Sequence, residues 1–500
     1  MTELSTFRAL APCVAALITT ACGSVIDDRQ SSNSAAGSGG ASTASVASTA
    51  TGTGGATSSS SGGGGNVGPC PSTAWSHVFA NPYSTAFGEG VAVDAACNVY
   101  LLGNYYGTID LGAGPLPDDD NGNLFLAKYD PAGQLLWSRT YGKASVLANF
   151  AIDPAGQLLI SGTLDDDVDF GNGCVLSPKV SDQFVVKLDA STGTSTFCSS
   201  FLAVDVTAGV FVTAASTAAG DTILAGWTGS EFSFGSGTIP KSDTSVSFVI
   251  AFDPQGKFRW WVPLTATGDT RVTGVTISAD GVVHASGSFV GTLDVGLASA
   301  GEHDMFITEI SPEGQRGWTR GFGGPGDENP VIMTQGSQGG FVIAGTTDGA
   351  IDLGAGLLPG KGSDDVFVAR LDATGNALGG KLFGDEGSQG LDGMAVDDEG
   401  NVLLTGHYHG TIDFGGGPLP ASMPGDKSVY FTKLGPAGNH IWSRHVDDVG
   451  VYDHYSVALD GSSDALITGT LSHAKTIDLG SGPLTSYPNG PAIVLAKLPP

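Results

Sequence analysis

From residue 73 onward, apolar residues come in runs of five to seven separated by short polar turns, and the same order of run and turn keeps returning. "VAVDAACNVYLLG" at 91 to 103, "FAIDPAGQLLISG" at 150 to 162 and "MAVDDEGNVLLTG" at 394 to 406 each read as apolar strand, polar turn, apolar strand. A third apolar run follows in every unit: "LFLAKYD" at 124, "QFVVKLD" at 183, "SFVIAFD" at 247, "MFITEIS" at 305, "VFVARLD" at 366, "VYFTKLG" at 429 and "AIVLAKL" at 492. All but the last lead into turns such as "DPAG", "DPQG", "SPEG" or "DATG", where the closing glycine supplies positive φ and proline, where present, presets it. A fourth strand comes next, marked by Trp137, Trp260, Trp318 and Trp442. Phe197 takes that place in the second unit, and Gly379 leaves it empty in the fifth.

Between the second and third runs lies a short anchor of the form "TIDLG". Its central residues are Asp110, Asp169, Ser233, Asp294, Asp352, Asp413 and Asp478, with steps from 58 (Asp294 to Asp352) to 65 (Asp413 to Asp478). Four short strands per unit describe an antiparallel blade, and seven such blades bury their faces only against each other, which a closed ring achieves. The prediction is an all-β, seven-bladed β-propeller over residues 69–500. The chain stops at "IVLAKLPP", after the third strand of the last unit, while "TAWSHVF" at 73 to 79 has no unit of its own. This N-terminal strand, with Trp75, is therefore expected to complete the last blade.

The segments "GNVYLLGNYYGTIDLG", "LFLAKYDPAGQLLWSR" and "MAVDDEGNVLLTG" resemble the bacterial seven-bladed beta-propeller repeat (SBBP-type) proteins over roughly residues 73–498. The resemblance implies a propeller and a surface location; the family has no single activity. No blade ends in the Trp-Asp pair of WD40 repeats, and the tryptophan-docking motifs of quinone-dependent dehydrogenases are absent.

Composition agrees with turns and strands: 77 glycines and 25 prolines accompany 41% apolar residues. A formal net charge of −29 repels phosphate backbones and anionic headgroups, so nucleic acid is excluded as an expected partner. Residues 1–22 read as a secretory leader, with an apolar run too short to span a bilayer as a mature helix. "TTAC" at 19 to 22 resembles the bacterial lipobox, with Thr19 departing from its aliphatic preference; lipidation of Cys22 is expected, with plain secretion as the alternative. Gly23 after the cysteine suits passage to the outer membrane. Residues 23–68 are a Gly/Ser/Thr/Ala linker expected to be disordered, reaching roughly 35–40 Å. Cys70, Cys97, Cys174 and Cys198 remain, an even set that suits two disulfides in an exported chain. Three connectivities are open, and neighbour pairing joins Cys70 to Cys97 and Cys174 to Cys198.

Candidate chemistry is sparse. The anchor aspartates would form a ring of carboxylates, but "IDLG" turns Asp away from the core where it can accept backbone amides, a shape-holding role. The tryptophans at one per blade suit packing. "DDDNGN" at 118 to 123 and "DDDVD" at 165 to 169 lack calcium-loop spacing and read as solvated loops. His407 and His409 share a strand face that would chelate a metal given a third ligand, with His440, His445 and His454 in nearby segments. No GxSxG, HExxH or phosphate loop occurs, and no cofactor is expected. The reading is a monomeric, non-enzymatic, lipid-anchored envelope protein that binds a protein or glycan through loops. The alternatives are a hydrolase or lyase with its site in the central channel, and a purely structural envelope component. Cys22→Ala should move the chain from the membrane to the soluble fraction; continued recovery with membranes would remove the lipid argument.

Overall fold

The computed structural model describes residues 69–500 except 80–83, 118, 179–181, 204–209, 235–236, 337–338, 422–426, 448–454, 473–474, 481 and 488–489. Side chains at 119–121, 144–148, 165, 202–203, 210–212 and 330–331 are also outside the description. The expectations for the leader, Cys22 and the linker therefore lie outside the described residues, as does His454. So does most of the loop "ASMPGDKS"; of "DDDNGN" at 118–123, expected as a solvated loop, the backbone from 119 instead begins the strand Asp119–Tyr129.

The predicted units are seven four-stranded antiparallel blades around an axis. Blade 1 comprises Thr85–Val93, Val99–Gly107, Asp119–Tyr129 and the first half of Leu135–Ile152. That long strand runs on as the inner strand of blade 2, followed by Leu158–Asp169, Asp182–Leu188 and Ser195–Ala203. Blade 3 is Val210–Ser216, Thr222–Thr228, Val246–Phe252 and Phe258–Leu264, and blade 4 is Thr270–Ile277, Val283–Phe289, Asp304–Ile310 and Arg316–Phe322. Blade 5 is Glu328–Gln335, Phe341–Thr347, Asp365–Leu371 and Ala377–Phe383, and blade 6 is Gly393–Val396, Val402–Tyr408, Ser428–Leu434 and His440–Val446. Blade 7 takes Tyr455–Leu459, Ala465–Leu471 and Ala492–Leu498 from the C-terminus and its outer strand, Trp75–Phe79, from the N-terminus.

Middle strands are buried on both faces, which is why their sequence is an unbroken apolar run instead of an alternation. In Asp365–Leu371, Phe367 and Ala369 pack toward blade 4 while Val366 and Val368 pack toward blade 6. The core is accordingly divided into seven clusters, one at each blade interface. The cluster that joins Val91, Leu101 and Phe125 of blade 1 to Leu466, Ile493 and Leu495 of blade 7 closes the ring.

The closure is reinforced where the termini meet. Lys497 is buried with its Nζ on Asp460 (2.6 Å), near Asp464 (3.3 Å) and donating to the Pro71 carbonyl (2.8 Å). Cys70 is tied to Cys97 across the blade 7–blade 1 boundary, and Cys174 to Cys198. Two disulfides point to an exported or extracellular protein. Lys497→Met strips the counter-charge from two buried aspartates and should cost about 3–5 kcal/mol in denaturant unfolding at neutral pH. A loss below about 1 kcal/mol would show that this ion cluster is not what clasps the ring.

Candidate functional site

One cross-strand pair repeats through the ring and sets the geometry of the blade interfaces. The outer-strand aromatic stands opposite a basic residue of the third strand: Trp137 pairs with Lys128, Phe197 with Lys187, Trp442 with Lys433 and Trp75 with Lys497. The two side chains reach into the following blade or across to the chain ends. Lys187 donates to Ser216 Oγ and the Gly220 carbonyl, both at 2.7 Å, and Lys433 to Ser463 Oγ (2.8 Å). This row of cations escaped the sequence reading, although its signal is the K or R in "AKYD", "VKLD", "ARLD", "TKLG" and "AKLP".

In blades 7, 1, 2, 3 and 4 the aromatic covers the glycine that ends the third turn of the next blade. Trp75 lies over Gly133 and its indole N–H donates to the Pro131 carbonyl (3.1 Å). Trp260 lies over Gly314 and donates to the Pro312 carbonyl (2.9 Å). A Cβ at either glycine would stand within 2.8 Å of the indole, and both glycines have φ near +80° (80° and 82°), so no other residue fits. Trp137 covers Gly193, Phe197 covers Gly256 and Trp318 covers Gly375 in the same way. The turn after Trp318 has Ala373 where others have proline, and its indole donates instead to Glu309 (2.7 Å). Arg320 and Arg444 lie over the rings of Trp318 and Trp442, with guanidinium carbons 5.5 Å and 5.3 Å from the ring centres.

At two places where a member of the pair is missing, a cleft opens. Gly379 stands opposite Arg370, and Lys381 alone covers Gly438, its Nζ on the Gly438 carbonyl at 2.7 Å. The space left between blades 5 and 6 is about 220 Å³, lined by Arg370, Leu378, Gly379, Lys381, Pro436 and Gly438. In blade 3, Ala251 replaces the cation opposite Trp260. A second cleft, about 360 Å³, opens there between Asp221, Ala251, Trp260, Asp280 and Pro312, partly covered by Arg259, which is ion-paired with Asp221.

The anchor aspartates are distributed around the ring and are not gathered. Asp110 accepts the amides of Gly112 (2.8 Å) and Gly114 (3.0 Å). Asp352, Asp413 and Asp478 repeat the pattern on Gly354/Gly356, Gly415/Gly417 and Gly480/Gly482, and Asp169 holds Gly171. Asp294 differs, being ion-paired with Arg316 at 2.5 Å. The anchors also fasten neighbouring blades, since Asp352 exchanges backbone hydrogen bonds with Gly323 of blade 4. His407 faces Asp392 at 3.4 Å, but the strand ends at Tyr408, so His409 does not continue its face. His440 bonds Ser443 (2.9 Å) and His445 sits 3.6 Å from Asp447. Among the described residues no three His, Cys, Asp or Glu side chains are placed to hold a metal ion. "DDDVD" at 165–169, expected as a solvated loop, is instead the end of the strand Leu158–Asp169, which pairs with the short strand Val175–Leu176, and Asp166 accepts the Asp167 amide (2.8 Å).

Glu328 and His284 are among the groups that titrate far from their ordinary ranges. Burial pushes the Glu328 carboxyl up to about 8, helped by the neighbouring Asp304 carboxylate, against hydrogen bonds from Gly324 N and Thr347 Oγ1 (both 3.1 Å). Burial pushes His284 down to about 4. Glu328 opens the inner strand of blade 5, and His284 lies next to the turn at the opposite end of blade 4, so they do not form an acid–base pair. The Asp304–Glu328 contact requires glycine at 323, where a Cβ would lie 2.5 Å from the Asp304 carboxyl carbon. The next interface repeats this arrangement as Asp365, Gly384 and Gln389, with an amide in place of the acid.

No family model matches the chain. Over 153 residues it is 24% identical to an uncharacterized WD repeat-containing protein of Acanthamoeba polyphaga mimivirus, a stretch that is 30% of this chain and 11% of that relative. Among solved structures it is similar to virginiamycin B lyase from Staphylococcus aureus, at 8% identity and TM-score 0.40, covering 86% of this chain and 100% of the other. It is also similar to the Dos1 propeller, at 9% identity and TM-score 0.39, covering 83% and 94%.

The Glu328 shift has a defined sign. Between about pH 4.5 and 8 the folded state holds a proton that the unfolded chain has released, so stability falls as pH rises through that window. Glu328→Gln copies Gln389 and removes this dependence. It should exceed the parent in stability by about 1–3 kcal/mol at pH 8 and match it near pH 4.5, in thermal or urea unfolding at both pH values. A variant less stable than the parent at pH 8 would contradict the assignment.

Proposed function

We propose that this chain is an exported, non-enzymatic binding scaffold, carried on a lipid at Cys22 and the linker 23–68, that takes up its partner at a blade interface. The observation that carries this reading is the cleft between blades 5 and 6. Blades 1 to 5 each have an aromatic over the turn glycine, whereas in blade 6 only Lys381 lies there and a cleft remains beside it. Binding sites are commonly apolar concavities with a few polar groups at fixed positions, and this one offers Leu378 and Pro436 beside Arg370 and Lys381. Its place on the outer rim leaves it open from the side of the ring.

The full-length protein should be used to capture partners from envelope extracts and glycan arrays, with each captured ligand mapped by hydrogen exchange. Protection of residues 377–383 and 435–438 is expected. Protection confined to another part of the ring, or turnover of a captured ligand, would overturn the reading.

A further inference from the structure

The vacancy between blades 5 and 6 has the outline of a particular chemical group. At two other interfaces an indole occupies the equivalent place, flat over the turn glycine, with its N–H on the carbonyl of the turn proline: Trp75 on Pro131 and Trp260 on Pro312. Pro436 is the counterpart of those prolines and Gly438 of their glycines, in "GPAG" against "DPAG" and "SPEG". The described residues place no indole on Pro436. The cation that lies over the ring elsewhere, Arg320 over Trp318 and Arg444 over Trp442, has its counterpart in Lys381, two residues beyond Gly379. Arg370 forms the floor, held by the carbonyls of Gly400 (2.6 Å) and Gly435 (3.4 Å). The turn glycine, the proline carbonyl and the cation are thus retained, the Lys381 side chain lying on Gly438 where the ring is absent.

Resting on the binding-scaffold reading, we propose that this slot binds the side chain of a tryptophan presented by a second polypeptide. The indole would stack on Gly438 beside the Lys381 methylenes, as Trp137 and Arg139 share Gly193, and donate its N–H to the Pro436 carbonyl. A polypeptide source is favoured by the surroundings. The slot opens beside the outer strand Ala377–Phe383, which pairs on one side only, and Leu378 next to it is 70% exposed. An extended partner segment lying along that edge would cover Leu378 while its tryptophan enters the cleft. Stacking beside a cation and one buried N–H bond together discriminate an indole from an aliphatic side chain of similar size.

The test uses the full chain with N-acetyl-tryptophanamide as the stand-in for a peptide tryptophan, followed by saturation-transfer NMR and thermal shift. N-acetyl-leucinamide, the 1-methylindole analogue and free indole serve as comparators. The expected result is saturable binding of the tryptophan amide, at least about fivefold weaker binding of the 1-methyl analogue, which cannot reach Pro436, and no saturable binding of the leucine amide. Gly379→Trp should abolish binding by filling the slot from within. Because Gly379 has φ of 149°, that variant is accepted only if it remains folded, and Lys381→Ala, expected to weaken binding at least about threefold, provides the second reading. Equal binding of the leucine amide, or binding unchanged in Lys381→Ala and in folded Gly379→Trp, would overturn the proposal. Binding of free indole without the amide would overturn the polypeptide source. A partner that maps elsewhere on the ring while the tryptophan amide fails would overturn the slot and leave the scaffold reading standing.

Discussion

The ring depends on what each blade places against the next. A four-stranded sheet with two apolar faces is not stable alone; here each face is half of a shared core, and the rims of that core are sealed by an aromatic of one blade lying on a turn glycine of its successor. The contact is demanding. The glycine must have positive φ and no Cβ, the ring must lie flat, and the basic residue across the strand must find carbonyls or carboxylates to replace water. Two clefts lie where a part is lost, at Gly379 and at Ala251, while in blade 4 Glu309 takes the cation's place and holds the Trp318 indole.

Closure of the ring applies the same rule to the chain ends. Trp75 enters the register opposite Lys497 that Trp137 and Lys128 establish in blade 1, so the N-terminal strand is a true fourth strand and not an accessory. Lys497 on the Pro71 carbonyl and Ser72 on Asp464 then hold the first residues of the domain to its last, and the Cys70–Cys97 bridge ties that N-terminal segment to blade 1. At the other end of the blades the anchor hairpins do equivalent work through backbone bonds, their aspartates folding each hairpin onto its glycines.

Much of this was legible in the chain because it is local. Turn glycines, anchors, the unit length and the empty place at Gly379 all lie within short windows, and the orphan "TAWSHVF" strand follows from counting. What could not be read is what joins distant windows. That Trp75 lies on Gly133, or Trp260 on Gly314, depends on how neighbouring sheets pack, and no local pattern encodes it. The Asp304–Glu328 pair is hidden for the same reason: each acid looks like an ordinary loop-edge charge until the blade interface buries both. The histidine pair misled in the opposite sense, since the spacing that would align His407 and His409 holds only while the strand continues, and it ends between them.

An aromatic from the preceding blade closes the third turn of blades 1 to 5, and blade 6 has Lys381 in its place. Amide hydrogen exchange measures this difference directly, by comparing the turn at 435–438 with the matching turns at 130–133 and 311–314 in the unliganded protein. All three have the same internal turn hydrogen bond, so cover and not hydrogen bonding is what differs. Faster exchange at Gly438 than at Gly133 and Gly314 is the predicted result; equal or slower exchange at Gly438 would contradict the account.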